Sequence, residues 1–418
     1  MRRREWLRLV SAGAASLATS CGDNLPRGAS TVIAAILEPS HDGFLVAIYD
    51  ERADSVAIEV RDESGELVAA EIVDLAPSGF VAIDDLTPAS AYEVFVLESG
   101  RAPLGPLRVR TAPASADPRA VRIAVSADYD PHPDFESPLV DHVLAAEPDL
   151  FVSIGDFPYC DNGPDVVQDV AGYRLRHYQA RSSPALRTLH AGVGVRSIYD
   201  DHEFRNDWNP IFVERESSRY AAAMQVWDEF FPLGDPIGDI RYRSWRYGAN
   251  LECFLLDCRR FRSASSEPDT ILKTMLGATQ RQWLQDSVRA STATFKLIFT
   301  SVPLDYGIGF DHWKGYSTDR EELLFRLRGV PGVLFVSGDQ HYFAAHRHTW
   351  GVREFQVGPF ARGIGAYGDE LPGVLFRAGR YNVGLFDVDS ESLRVTGLGA
   401  DGERFYEETF TPELLTPV

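Results

Sequence analysis

Four stretches of this chain put carboxylates and imidazoles directly after short apolar runs. Val125-Ser126-Ala127-Asp128 closes one run, and Ile154-Gly155-Asp156-Phe157-Pro158-Tyr159 closes the next. Ser197-Ile198-Tyr199-Asp200-Asp201-His202-Glu203 follows a third, and Val336-Ser337-Gly338-Asp339-Gln340-His341 a fourth. A single Asp after a strand more often closes a turn or caps a helix than binds a ligand, and a lone His is usually polar surface. Four acidic strand ends in one domain are harder to assign to turns. If the fold makes them converge, their charges repel, and a bound cation is the simplest remedy.

Such a site needs strands to carry it. RIAVSA, DLFVSIG, VGVRSIY, LECFLLD, FKLIFTS and VLFVSG alternate with helical stretches, which is the α/β pattern; α/β folds gather their sites where strands end. Ser137-Pro138 opens one helix with a cap and a first-turn proline. SSRYAAAMQVWDEFF at 217–231 and ATQRQWLQDSVRA at 278–290 give two more. From about residue 351 strands return, in YNVGLFDVD and LRVTGLG. Upstream, FLVAIY at 44–49, SVAIEV at 55–60, YEVFVLE at 92–98 and LRVRT at 107–111 are short alternating runs between turn residues, the spacing of a small antiparallel sandwich. Leu86-Thr87-Pro88-Ala89-Ser90-Ala91-Tyr92 resembles the tyrosine-corner segment of fibronectin type III domains, which would make Tyr92 structural. The expected organisation is a β-domain over 31–113, a linker within 112–119 and an α/β domain over 119–418.

The 418 residues are 44% apolar, enough for a large core, and the net charge is −20. So acidic a chain lacks the dense Lys/Arg that nucleic acid requires, whereas a small phosphorylated substrate needs only a local Arg or a bound cation. Of the four cysteines, Cys253 and Cys258 share one strand-like run, about 16 Å apart and beyond disulfide reach. A bridge from Cys160 to either of them stays open. Residues 1–21, MRRREWLRLVSAGAASLATSC, form a targeting segment too short to span a membrane as a helix. Arg3-Arg4-Glu5-Trp6-Leu7-Arg8 resembles the twin-arginine export pattern. Leu17-Ala18-Thr19-Ser20-Cys21 resembles a bacterial lipobox, which implies lipidation of Cys21. A plain signal peptide with a chance Cys is the competing reading. Residues 22–30 would be a tether, and the protein would be periplasmic or on the cell surface, held to the membrane by lipid. No obligate protein partner is evident.

Taken in order, strand-Asp, GDxxY, (N/D)HE and G(H/D)xH resemble the metallophosphoesterase superfamily, in particular purple acid phosphatases and the PhoD-like alkaline phosphatase/phosphodiesterase branch. Gly155-Asp156-Phe157-Pro158-Tyr159 matches GDxxY. Asp200-Asp201-His202-Glu203-Phe204-Arg205-Asn206 is similar to DDHExxN, and Ser337-Gly338-Asp339-Gln340-His341 to SGDxH. Leu256-Asp257-Cys258-Arg259, Gln280-Arg281-Gln282-Trp283-Leu284 and Trp313-Lys314-Gly315-Tyr316 fall where such proteins carry LDxR, QxxWL and WxGY.

The resemblance implies a four-layer α/β (α+β) metallophosphoesterase sandwich behind a fibronectin III-like front domain. It implies an exported phosphomonoesterase or phosphodiesterase that uses metal-activated water. Asp156 would bridge two metals, Asp128, Tyr159 and His341 would complete the first site, and Asp201 and Asp339 would serve the second. His202 would be the acid beside the leaving group. Asn206 would hold a phosphate oxygen, with Arg259 either doing likewise or serving as a structural ion-pair partner. This oxygen-rich set suits hard ions: Fe³⁺ at Tyr159, and Ca²⁺, Mn²⁺ or Mg²⁺ at the other position. Zn²⁺ is less favoured by so few nitrogens. Two departures stand out. Ala127 replaces the Cys that PhoD-like enzymes carry in SCQ or SCN, so Asp128 takes that place, with Asp130 a competing candidate. No His follows strand 295–301, where purple acid phosphatases place a ligand. The altered first motif supports a rival expectation: a non-catalytic surface lipoprotein with a degenerate hydrolase domain.

Overall fold

The computed structural model describes residues 32–130, 138–162, 167–234, 240–368 and 370–418. The targeting segment, the tether and Cys21 lie outside them. Among the described residues no helix is long and apolar enough to cross a membrane.

Seven strands come first: β1 (Ile33–Leu37), β2 (Phe44–Tyr49), β3 (Ser55–Asp62), β4 (Leu67–Asp74), β5 (Ser78–Ile83), β6 (Ala91–Leu97) and β7 (Leu104–Arg110). Then β8 (Val121–Ser126), α1 (Leu139–Ala145), β9 (Leu150–Ser153), α2 (Val170–Ser182), α3 (Pro184–Gly192) and β10 (Val195–Ser197) alternate as the sequence suggests. Helices α4 (Pro210–Arg215) and α5 (Ser217–Phe230) precede β11 (Arg243–Tyr247) and β12 (Leu251–Leu255). Next come α6 (Gly277–Ala290), β13 (Phe295–Thr300), α7 (Ser317–Arg326), β14 (Val333–Ser337), β15 (Phe343–Arg347) and β16 (Arg353–Gln356). The chain closes with β17 (Val374–Ala378), β18 (Asn382–Val388), β19 (Leu393–Gly399) and β20 (Arg404–Phe410).

Two large mixed sheets form the body. One runs β20-β19-β18-β8-β9-β10-β1-β2-β5 and the other β11-β12-β13-β14-β16-β15-β17. Alternation along the strands assigns their faces. Val121, Ile123 and Val125 of β8 and Leu150 and Val152 of β9 meet Leu297, Phe299, Leu334 and Val336 of the opposite sheet in one apolar layer. Their neighbours point outward. Ala124 and Phe151 pack under α1–α5, while Ile298 and Phe335 pack under α6 and α7. The result is helices, sheet, sheet, helices.

The front strands pack against a separate four-stranded sheet, β4-β3-β6-β7. Between them lies a core of Ile36, Val46, Ile58, Val94 and Val109. The Tyr92 hydroxyl accepts the Thr87 amide at 2.9 Å. What the sequence did not reveal is that β1 pairs in parallel with β10, Leu37 beside Val195, so the front sheet continues into the body. Every residue of β1 and β2 is buried. One face serves the sandwich. The other, including Tyr49 stacked on Phe230 at 4.7 Å, serves the helical layer.

Candidate functional site

Parallel pairing brings the carboxyl ends of β8, β9 and β10 together; β14, in the other sheet, joins them by packing across the sandwich, where a Cβ on Gly338 would stand 2.6 Å from that of Ala127. Their loops are cross-tied. The Asp128 amide donates to the Gly155 carbonyl at 3.2 Å and the Tyr129 amide to the Asp156 carbonyl at 2.8 Å. Buried Glu203 accepts the Phe157 amide at 2.7 Å and the Asp200 amide at 2.9 Å, which fixes two loops with one side chain. Burial pushes the Glu203 carboxyl up to about 8. Gly155, at φ +114, lies so close to Asp200 that a Cβ would stand 2.5 Å from the Asp200 Cβ. Asp128, Asp156, Asp339 and His341 all have φ between 58° and 74°. A non-glycine residue held there costs about 1–3 kcal/mol, and such strain clusters at functional sites.

Asp128, Asp156 and His341 bring ligand atoms within 4.8 Å of one another. The Tyr159 hydroxyl joins them, 3.0 Å from Asp156 Oδ2 and 2.9 Å from His341 Nε2. His341 Nδ1 lies 2.7 Å from the Gly363 carbonyl; the N–H must therefore be on Nδ1, which leaves the Nε2 lone pair facing the carboxylates. Asp156 also belongs to a trio with Asp201 and His202, and Asp201 to one with Asp200 and Asp339. The sequence-selected residues therefore meet, with Asp156 and Asp201 between the groups.

Electrostatically the cluster is under-compensated. Both oxygens of Asp128 and Oδ1 of Asp201 are buried without a hydrogen-bond partner. Burial, then Asp339 and Asp200, push the Asp128 carboxyl well up. Burial and Asp201 do the same to Asp156, and burial, Asp200 and Asp201 to Asp339. For Asp201 burial is outweighed by Arg259 and His202, which hold the carboxyl low. Orphaned, mutually repelling carboxylates beside a phenol and an imidazole lone pair are donors that fit metal cations.

His202 sits on the rim, its ring 4.1 Å from that of Tyr159. Its Nδ1 is 2.7 Å from Asp161. Burial would lower its pKa, but Asp201 and the Asp161 hydrogen bond raise it to about 9. Asn206 is exposed, and its backbone N–H donates to Asp161 at 2.6 Å.

Arg259 is fully buried among carboxylates. It forms two 2.6 Å bonds to Asp200, pairs with Asp311, and approaches Asp201 at 3.5 Å. That geometry favours the ion-pair role over phosphate binding. Asp130 points elsewhere, held by Arg362 at 2.7 Å and Asn162 at 3.1 Å, which leaves Asp128 as the carboxylate in the cluster. Ser301 stands where a His was missing and donates to Asp200 at 2.5 Å. The three lesser motifs brace the site: the Gln280 side chain brackets the Asp257 backbone on both sides, and the Trp313 indole donates to Thr300. Cys160, Cys253 and Cys258 are all buried and free, so the bridge left open for Cys160 is absent. Sequence reasoning missed Asp161 and Arg362. Neither ends a strand, although Arg362 stacks over Tyr159 at 4.5 Å.

A family model for PhoD-like phosphatases matches residues 127–364. Alkaline phosphatase D of Bacillus subtilis (strain 168) is 27% identical over 317 residues, covering 64% of this chain and 54% of the relative. The chain thus spans about half the length of that curated relative. A solved structure of PhoD superposes with a TM-score of 0.82 at 21% identity, over 94% of this chain and 92% of that one. The purple acid phosphatase PPD1 from yellow lupin (Lupinus luteus) seeds gives 0.67 at 12% identity, over 90% and 74%.

Proposed function

The chain belongs to the PhoD-like phosphatase family, and from that premise we propose that it is a metal-dependent hydrolase of small phosphoesters. The observation that carries this is Asp128, its two oxygens buried without a donor beside Asp156, Tyr159 and His341. Asp128, Asp156, Tyr159 and His341 would hold one ion and Asp156, Asp201 and Asp339 a second, Fe³⁺ and Ca²⁺ being favoured over Mn²⁺, Mg²⁺ or Zn²⁺. Ions bound there supply Lewis-acid charge and a nucleophilic water at neutral pH. The chain's residues do the rest. Asp161 fixes His202 through Nδ1, so Nε2 carries the proton handed to the departing alkoxide. Exposed Asn206 meets a substrate oxygen. Buried Arg259 keeps Asp200 and Asp201 in place.

Purified protein loaded in turn with each metal and offered a chromogenic monoester and diester should hydrolyse at least one of them in a metal-dependent way. Tight metal binding with no hydrolysis of either would favour the non-catalytic lipoprotein.

The front sandwich is taken to be a fibronectin III-like, structural domain, a reading supported by its Tyr92 corner. The protein is further taken to be exported and lipidated at Cys21, on the strength of the RRxWLR and lipobox-like segments. Cys21→Ala should release it from membranes; unchanged membrane association would contradict the anchor.

A further inference from the structure

Behind the candidate centre, outside every group used above, lies a second cluster. His346 on β15, His348 just after it and Glu354 on β16 are all buried, and three of their ligand atoms fall within 4.8 Å of one another. Glu354 Oε2 is 2.6 Å from His348 Nε2 and 3.4 Å from His346 Nδ1. Yet neither ring nitrogen of His346 has a hydrogen-bond partner, so Nδ1 approaches the carboxylate without donor–acceptor alignment. The other carboxylate oxygen is engaged by the Leu304 amide at 3.0 Å and the Ser337 hydroxyl at 2.5 Å. Tyr306 covers the cluster, its ring 5.2 Å from His348 and 5.0 Å from His346. A buried imidazole with one nitrogen facing a carboxylate out of alignment and the other facing no partner is costly. Two buried imidazoles and a carboxylate converging under an aromatic ring form the donor set of a borderline divalent ion rather than of Ca²⁺ or Mg²⁺.

We propose that His346, His348 and Glu354 form a buried structural site for a divalent transition metal such as Zn²⁺, separate from the phosphoester-cleaving centre. Its position gives it a purpose. Glu354 ties Ser337 at the end of β14 to the loop at Leu304, and Asp339 and His341 follow Ser337 directly in the chain. An ion here would stiffen the support of those two residues.

The test uses Co²⁺ as a visible probe on the full chain after chelator treatment, with Asp156→Asn to disable the catalytic centre. Asp156→Asn should still hold one Co²⁺ tightly, with X-ray absorption reporting two imidazoles. Adding His348→Gln or Glu354→Gln should weaken that ion by more than about 100-fold, the upper end of what losing an outer-shell partner costs. If Asp156→Asn retains no Co²⁺, or if either double variant binds it unchanged, the site does not exist. Because core substitutions can unfold a protein, the imidazole count in Asp156→Asn stands as an independent reading: fewer than two overturns the proposal.

Discussion

Asp128 and Asp200 are both buried aspartates at strand ends of one sheet, after β8 and β10 on either side of β9, yet they are treated in opposite ways. Asp200 receives two bonds from Arg259 and a third from Ser301. Asp128 receives none on either oxygen. Where the chain supplies its own cation, the carboxylate becomes architecture, a buried ion pair that positions its surroundings. Where it supplies none, the carboxylate is left for a cation from outside.

The largest effect expected from this contrast is on activity. Asp128→Asn should empty the Tyr159–His341 side of the centre and lower hydrolysis by orders of magnitude. Full activity and metal content in that variant would erase the distinction. His202→Ala comes next, with a loss of about 10²–10⁴-fold on substrates with poor leaving groups and less on good ones. Its metal content should stay near wild type; a metal-free variant would make His202 a ligand instead of the acid. Arg259→Met strands buried Asp200, whereas Asp311 keeps Arg262 at 2.8 Å, and should destabilise the fold by about 3–5 kcal/mol in denaturant titrations. Equal midpoints for variant and wild type would remove Arg259 from the architecture. Stripping metal should cost less: returning an ion at 100 times its Kd is worth about 2.7 kcal/mol, seen as a metal-dependent rise in Tm. A Tm indifferent to chelator would mean the orphaned carboxylates need no cation. Smallest of all, Asp130→Asn loses only the charge of a partly exposed pair with Arg362, about 1 kcal/mol or less. Metal loss in that variant would make Asp130 the ligand.

Much of this was legible because chemistry and secondary structure share a punctuation mark, the end of an apolar strand. GDFPY, DDHE and SGDQH were found that way; parallel pairing brings the first two together, and packing of the two sheets brings the third against them. What stayed hidden depends on partners distant in sequence. That Arg259 belongs to Asp200, and Asp130 to Arg362, is fixed only by tertiary packing. Asp161 holds His202 from a loop with no strand-end signal. The joining of β1 to β10 was concealed for a related reason. A strand buried on both faces shows a continuous apolar run instead of alternation; IAAIL and FLVAIY are such runs, so the alternation read for FLVAIY in the sequence is corrected by its burial on both faces.

The central claim, that Asp156 is shared between two metal positions, is tested most directly by measuring metal content and hydrolysis side by side for wild type and Asp156→Asn. The amide removes a charge and much of the bridging capacity, so both positions should lose metal and the rate should fall by orders of magnitude. An Asp156→Asn protein with wild-type metal content and wild-type rate would contradict the account.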